Sequence, residues 1–191
     1  FNIPPTKLIQ VDIDPNEVGK NYPVDVGIIG DAKSVIIDIL NTLSKLSTKR
    51  DYENNSYFKE IQQLRKEWKQ ELEMRSQSSP LSMGRFFKEL RNVLEDDALL
   101  YTDAGWPQTI SGQFFETYRP RTYITAGGMS TMGFALPGSL GGKLAFPNKQ
   151  VVSAQGDGSF LMMGEELATA VQYDLPILSV KVEIARTQLT G

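Results

Sequence analysis

The stretch Val151–Phe160, "VVSAQGDGSF", places one carboxylate, Asp157, between two glycines at the end of an apolar run. Residues 149–155 ("KQVVSAQ") read as a β-strand, because the run holds adjacent valines and glycine follows it. Residues 164–173 ("GEELATAVQY") carry a helical pattern, and residues 175–182 ("LPILSVKV") form a second apolar run. Two such runs bracketing one helix predict a right-handed βαβ unit with parallel strands.

The pattern extends upstream in the same style. Residues 98–103 ("ALLYTD") predict a strand, and Met83, Phe86, Phe87, Leu90 and Leu94 mark a helix before it. The glycine- and alanine-rich segment 132–146 ("MGFALPGSLGGKLAF") predicts a closely packed helix with Pro137 kinking it or lying near one end. Residues 51–75 are highly charged, with Phe58, Ile61, Leu64, Trp68 and Leu72 on one helical stripe. They predict a long surface helix joining two domains, with the "SQSSP" segment at 76–80 as its exit. Residues 7–13 ("KLIQVDI") predict a strand, and Asp31 caps a helix carrying Val35, Ile36, Ile39, Leu40 and Leu43.

Composition narrows the chemistry. The 191 residues hold no cysteine and no histidine. Disulfides, thiolate sites, a cysteine nucleophile and a histidine-based triad are therefore excluded within this chain. A formal charge of −3 argues against a nucleic-acid or anionic-membrane surface. No apolar run reaches the roughly 18 residues of a membrane span, and no signal peptide opens the sequence, so a cytoplasmic protein is expected. The chain starts without Met and runs quickly into a strand, which suggests a fragment.

In open parallel sheets, ligands sit beyond the carboxyl ends of the strands. Asp103 and Asp157 both fall at such ends. The glycines around Asp157 admit close backbone approach, and the helix start that follows offers unpaired N–H groups to an anion. A carboxylate beside such a turn describes a Mg2+–diphosphate site, since Mg2+ favours one or two carboxylates plus phosphate oxygens. Standing alone, Gly-Asp-Gly is more often an ordinary turn. Two nucleotide motifs fail here: Leu161 stands where the dinucleotide fingerprint wants glycine, and "PGSLGGKL" has Pro137 and Leu144 where a P-loop wants Gly and Ser or Thr.

Taken together, these stretches resemble the thiamine diphosphate (ThDP) enzymes, most closely the acetolactate synthase large subunits. "GDGSFLMMGEELATAVQYDLPI" looks like that family's metal and diphosphate signature, and "TYITAGGMSTMGFALPGSLGGKLA" is similar to its cofactor-wedge segment. "YTDAG" resembles its diphosphate-contacting strand end, and "LIQVDIDPNEVGKNYPVDVGIIGDAK" the last strand and helix of its central domain. The resemblance implies an α/β protein. Residues 1–50 would be the end of a Rossmann-like central domain and 51–78 a connecting helix and linker. Residues 79–191 would be an incomplete diphosphate-binding domain, a parallel sheet with helices on both faces.

Carried over, the resemblance makes Asp157 the Mg2+ ligand. Ala104, Gly105, Gly156, Gly158 and Ser159 would surround the diphosphate. Met132, the one catalytic assignment, would be the apolar wedge bending the cofactor, and the Ser130 carbonyl would accept from its aminopyrimidine. The family's chemistry, decarboxylation of a 2-oxo acid such as pyruvate and carboligation to a second, needs no histidine from the protein.

Asp12 and Asp31 match flavin-contacting positions of FAD-carrying relatives, although a turn before Pro15 and a helix cap explain them more simply. The active site of the family lies between two subunits, which implies a homo-oligomer, and the chain alone is expected to be inactive. Three departures stand out. Glu183 and Ile184 occupy the slot of a metal-binding asparagine, the activating glutamate belongs to an N-terminal domain not present here, and Trp106-Pro107 replaces Gln-His. The alternatives are a pyruvate oxidase, a glyoxylate carboligase, a 2-oxo acid decarboxylase, or a non-catalytic paralogue of the fold.

Overall fold

The computed structural model describes residues 6–46, 52–76 and 81–182. Cα packing divides the chain between Glu60 and Ile61 into two compact units. The first holds two parallel strands, β1 (Ile9–Asp12) and β2 (Val26–Ile29), followed by α1 (Ala32–Leu46). Asp31 caps α1 as the sequence predicts, its Oδ1 accepting from the Ser34 N–H at 3.0 Å. The Asp12 carboxylate accepts from the Asp14 N–H at 3.0 Å, which makes the turn before Pro15. Gln10 staples the long β1–β2 connection, donating to the Glu17 carbonyl and accepting from the Gly19 N–H. The apolar stripe of α1 is exposed at Ile36, Ile39, Leu40 and Leu43.

A long helix, α2 (Ser56–Ser76), covers the charged segment. The second unit then alternates helix and strand. Its helices are α3 (Met83–Val93), α4 (Trp106–Phe114), α5 (Ala135–Ala145), α6 (Asp157–Met163) and α7 (Glu166–Gln172). Its strands are β3 (Leu99–Thr102), β4 (Tyr123–Thr125), β5 (Val151–Gln155) and β6 (Leu178–Lys181), all parallel in the order β4-β3-β5-β6. The predicted parallel pairing of the two apolar runs around α7 is therefore present. β2, β4 and α4 were not read from the residue pattern: β2 carries Gly27 inside it, β4 is only three residues long, and α4 opens with Trp-Pro.

Strand alternation assigns the faces of this sheet. Leu100, Val152 and Ala154 join Phe87, Leu90 and Phe115 in one buried core, so α3 and the end of α4 cover that side. Ser82 starts α3 by accepting from the Arg85 N–H at 3.1 Å. Tyr101 alternates with Leu100 and so points to the other side, where it packs against Gly138 and Gly142 of α5. Those glycines lie four residues apart, one turn along the same helix face, and let α5 approach the sheet closely. Burial against α5 pushes the Tyr101 phenol above its ordinary range. Helices thus cover both faces. Pro137 lies in the first turn of α5, where its missing N–H costs nothing.

The close approach makes a test. A Cβ on Gly142 would fall within 3 Å of the Tyr101 ring, whereas one on Gly141 would meet nothing within 4 Å. Gly142→Ala is expected to destabilise the fold by about 1–3 kcal/mol through overpacking. Gly141→Ala, one residue away, should be neutral or stabilise by up to about 1 kcal/mol through helix propensity. Paired denaturant melts distinguish the two; equal effects would contradict this packing.

Candidate functional site

The strand order locates the site. From β3 the chain adds β4 on one side and then β5 on the other, so the direction of winding reverses between β3 and β5. In open parallel sheets the crevice outside the carboxyl ends at that reversal is where ligands bind. Asp103, Ala104 and Gly105 leave β3 at this point, and Gly156, Asp157 and Gly158 leave β5. Each strand passes straight into a helix, α4 or α6, so two helix N-termini with unpaired first-turn N–H groups start at the crevice.

The two aspartates at the strand ends do different work. Asp103 is 1% exposed, and its carboxylate accepts three backbone N–H groups. Ala104 N lies 2.9 Å and Gly133 N 3.1 Å from Oδ1, and Ala135 N lies 3.0 Å from Oδ2. The loop that leaves β4 is therefore pinned over the end of β3 at its far end. Sequence reasoning placed Asp103 at a strand end and gave it no role. A fully buried carboxylate, with partners 30 and 32 residues away, is not legible in a local motif.

Asp157, by contrast, is exposed. Its Oδ1 accepts from the Gly158 N–H at 2.8 Å, and among the described residues no donor reaches Oδ2. One oxygen thus orients the side chain while the other faces out. Among the described residues no three His, Cys, Asp or Glu side chains gather as a metal cage. A single open carboxylate oxygen suits Mg2+ whose remaining ligands are phosphate oxygens and water. The expectation about Glu183 and Ile184 lies outside the described residues.

The loop 126–134 brings the wedge residue to the same place. Ser130 has φ 49°, a left-handed conformation that costs a serine of order 1 kcal/mol, and its N–H closes a turn on the Ala126 carbonyl at 2.8 Å. Gly133 has φ 80°, and a Cβ there would fall 2.6 Å from Met163 Cγ of α6. Met132 reaches across to the start of α6: its Cε lies 2.8 Å from where a Cβ on Gly158 would be. Glycine at 158 therefore leaves room for Met132. Met132 is 47% exposed, an apolar residue left half in water at the crevice; Trp106, Met129 and Met162 are exposed as well.

The remaining predicted contacts differ in availability. The Ala104 N–H is bound to Asp103 and the Gly158 N–H to Asp157. Gly105, at φ 90° and ψ −145°, caps α4 in a conformation open to glycine alone. Gly156 precedes α6 in extended conformation, and its carbonyl takes the first helical bond, from the Phe160 N–H. Ser159, in the first turn of α6, is 3% exposed and offers a ligand little surface. Gly105, Met132, Gly133, Asp157 and Gly158 thus form a cradle with an open carboxylate, helix N-termini and an uncovered apolar side chain. A molecule bearing a diphosphate and an apolar ring system suits that donor set.

Known proteins with this pattern are thiamine pyrophosphate (ThDP) enzymes. Residues 103–184 match the description "Thiamine pyrophosphate enzyme, C-terminal TPP binding domain", and residues 1–40 match "Thiamine pyrophosphate enzyme, central domain". A probable acetolactate synthase large subunit of Methanocaldococcus jannaschii is 38% identical over 181 residues, covering 92% of this chain and 30% of that protein. Acetolactate synthase isozyme 3 large subunit of Escherichia coli is 34% identical over 180 residues, covering 94% of this chain and 31% of that one. Acetolactate synthase of Mycobacterium leprae is 34% identical over 174 residues, with 91% and 28% covered. The chain spans about three-tenths of the length of these relatives. Among the described residues no helix is long and apolar enough to cross a membrane.

The buried clamp generates a prediction independent of any ligand. Asp103→Ala leaves the Gly133 and Ala135 N–H groups without an acceptor, at about 1–3 kcal/mol for each buried donor. The variant is expected to lose about 3 kcal/mol of stability. Asp103→Asn, which keeps one carbonyl acceptor, should lose less. Hydrogen exchange at Gly133 and Ala135 should accelerate in both; unchanged protection there would refute the clamp.

Proposed function

This chain belongs to the thiamine pyrophosphate enzymes, and on that footing we propose that it forms the diphosphate-binding half of an active site that decarboxylates a 2-oxo acid and joins the product to a second one. The observation that carries the reading is the convergence of Asp157, Gly158 and Met132 at the β3–β5 reversal. The relatives named as acetolactate synthases support pyruvate as the first substrate.

Each residue then has a physical task. Oδ2 of Asp157 would hold Mg2+, which would supply positive charge to the diphosphate. The N–H groups at the starts of α4 and α6, with their helix dipoles, would receive phosphate charge. The glycines at 105, 156 and 158 would let main chain rather than side chain approach the ligand. The Ser130 carbonyl, turned by its left-handed backbone, would accept from the aminopyrimidine. Met132 would press an apolar surface between the cofactor's rings and fix its bent shape, excluding water from that side. ThDP, when bound, supplies the electron sink for the carbon that loses CO2. A protein base from histidine is not required of this chain, which has none.

By the family's pattern, a second copy of the full-length subunit would complete the site. Exposed Trp106 at the start of α4, Met129 in the loop between β4 and α5, and Met162 in α6 would suit such a covering. FAD as a second cofactor has less support, because Asp12 and Asp31 are already engaged as turn and cap. Trp106, exposed beside Gly105 at the start of α4, favours a second reading in which the acceptor or the fate of the bound carbon differs. Pyruvate oxidase, glyoxylate carboligase and 2-oxo acid decarboxylase activities are those alternatives.

Turnover of the full-length protein with pyruvate alone separates them: acetolactate is expected, and acetaldehyde or acetyl phosphate would favour the second reading. Asp157→Ala is expected to abolish Mg2+-dependent ThDP binding in calorimetry while leaving the melting temperature nearly unchanged, because the side chain is exposed. Unaltered cofactor affinity would overturn the metal assignment. Met132→Ala should lower kcat by a larger factor than it weakens ThDP binding. If neither quantity moves, Met132 is packing alone.

A further inference from the structure

Resting on this reading of the site, we propose that Gln155 is a positioning residue for Asp157, holding β5 in register with β6 so that the metal-binding carboxylate keeps its place. Gln155 ends β5, two residues before Asp157, and is 1% exposed. Its Nε2 donates to Ser179 Oγ on β6 at 2.8 Å, and its Oε1 accepts from Ser153 Oγ, also fully buried. Its backbone carbonyl accepts from the Val182 N–H at 2.8 Å, just past the end of β6. Side chain and main chain of one residue thus both tie β5 to β6, where Ser153 faces Ser179 and Gln155 faces Lys181.

A buried strand position is filled at lower desolvation cost by an apolar side chain. A buried amide is tolerated when its partners are met, and a satisfied polar ladder specifies one arrangement where apolar packing accepts several. The arrangement here is strand register. A slip of one residue moves a strand by about 3.3 Å. Mg2+ demands near-octahedral geometry at about 2.1 Å, so even a fraction of that slip would spoil the site. The ladder ends where the carboxylate begins, and no ligand contact is needed for it to act.

Full-length protein is titrated with Mg2+ at fixed ThDP, and with ThDP at saturating Mg2+, using calorimetry. Gln155→Leu is expected to raise the Mg2+ concentration for half-saturation about tenfold, the lower end of what supporting residues around metal ligands cost. Its ThDP affinity at saturating Mg2+ should change by a much smaller factor. Ser179→Ala, which removes the acceptor from the other strand, should shift the Mg2+ titration in the same direction, and it decides alone if Gln155→Leu does not fold. Ser139→Ala, a buried hydroxyl on α5 bonded to the Leu136 carbonyl, is the comparison for loss of stability that leaves the β5–β6 hydrogen bonds in place. Gln155→Leu and Ser179→Ala melting earlier with Mg2+ titrations unmoved, as for Ser139→Ala, would make the ladder merely structural and overturn the proposal. Absence of Mg2+-dependent ThDP binding in the unmodified protein would instead overturn the site reading on which it rests.

Discussion

The buried carboxylate of Asp103 is the constraint on which the geometry of the crevice depends. It accepts from Ala104 on its own strand end and from Gly133 and Ala135 at the far end of the loop between β4 and α5. Burying a carboxylate is costly unless its oxygens are satisfied, and here three N–H groups satisfy them. The loop carrying Ser130 and Met132 has no strand of its own to hold it. The clamp fixes the far end of that loop, beyond the left-handed turn that Ser130 closes on Ala126 and the approach of Met132 to Gly158.

Around that clamp the crevice is built by division of labour between two similar residues. Both aspartates sit at carboxyl ends of neighbouring parallel strands. Asp103 faces inward and is fully engaged by backbone, so it shapes. Asp157 is exposed and keeps one oxygen open, as the proposed metal role requires. Gly158 serves both, since its N–H orients the Asp157 carboxylate and its missing side chain admits Met132. Such economy follows from placing ligand contacts on strand ends and helix starts rather than on long loops.

Much of this was legible in the residues. The apolar runs at 98–103 and 149–155 became neighbouring strands, and Met83 to Leu94 marked α3, because burial on both faces leaves a strong local signal. The Gly-Asp-Gly turn announced a crevice because glycine, carboxylate and helix start are consecutive. Gly27 interrupts the apolar signal of β2, β4 is only three residues long, and Trp-Pro at the start of α4 hid a helix that begins at a positive-φ glycine. The tasks of Asp103 and Gln155 were invisible for another reason. Their partners lie 24 to 32 residues away, and only the folded sheet brings them within hydrogen-bonding distance.

The central claim is that the β3–β5 reversal receives a diphosphate through a cation held by Asp157. A crystal structure of the full-length protein with ThDP and Mg2+ tests it most directly. The account predicts Mg2+ about 2.1 Å from an Asp157 oxygen, with the diphosphate over the starts of α4 and α6. The Met132 side chain should lie against the middle of the cofactor. A cofactor bound elsewhere, with the Asp157 carboxylate turned to solvent, would contradict it.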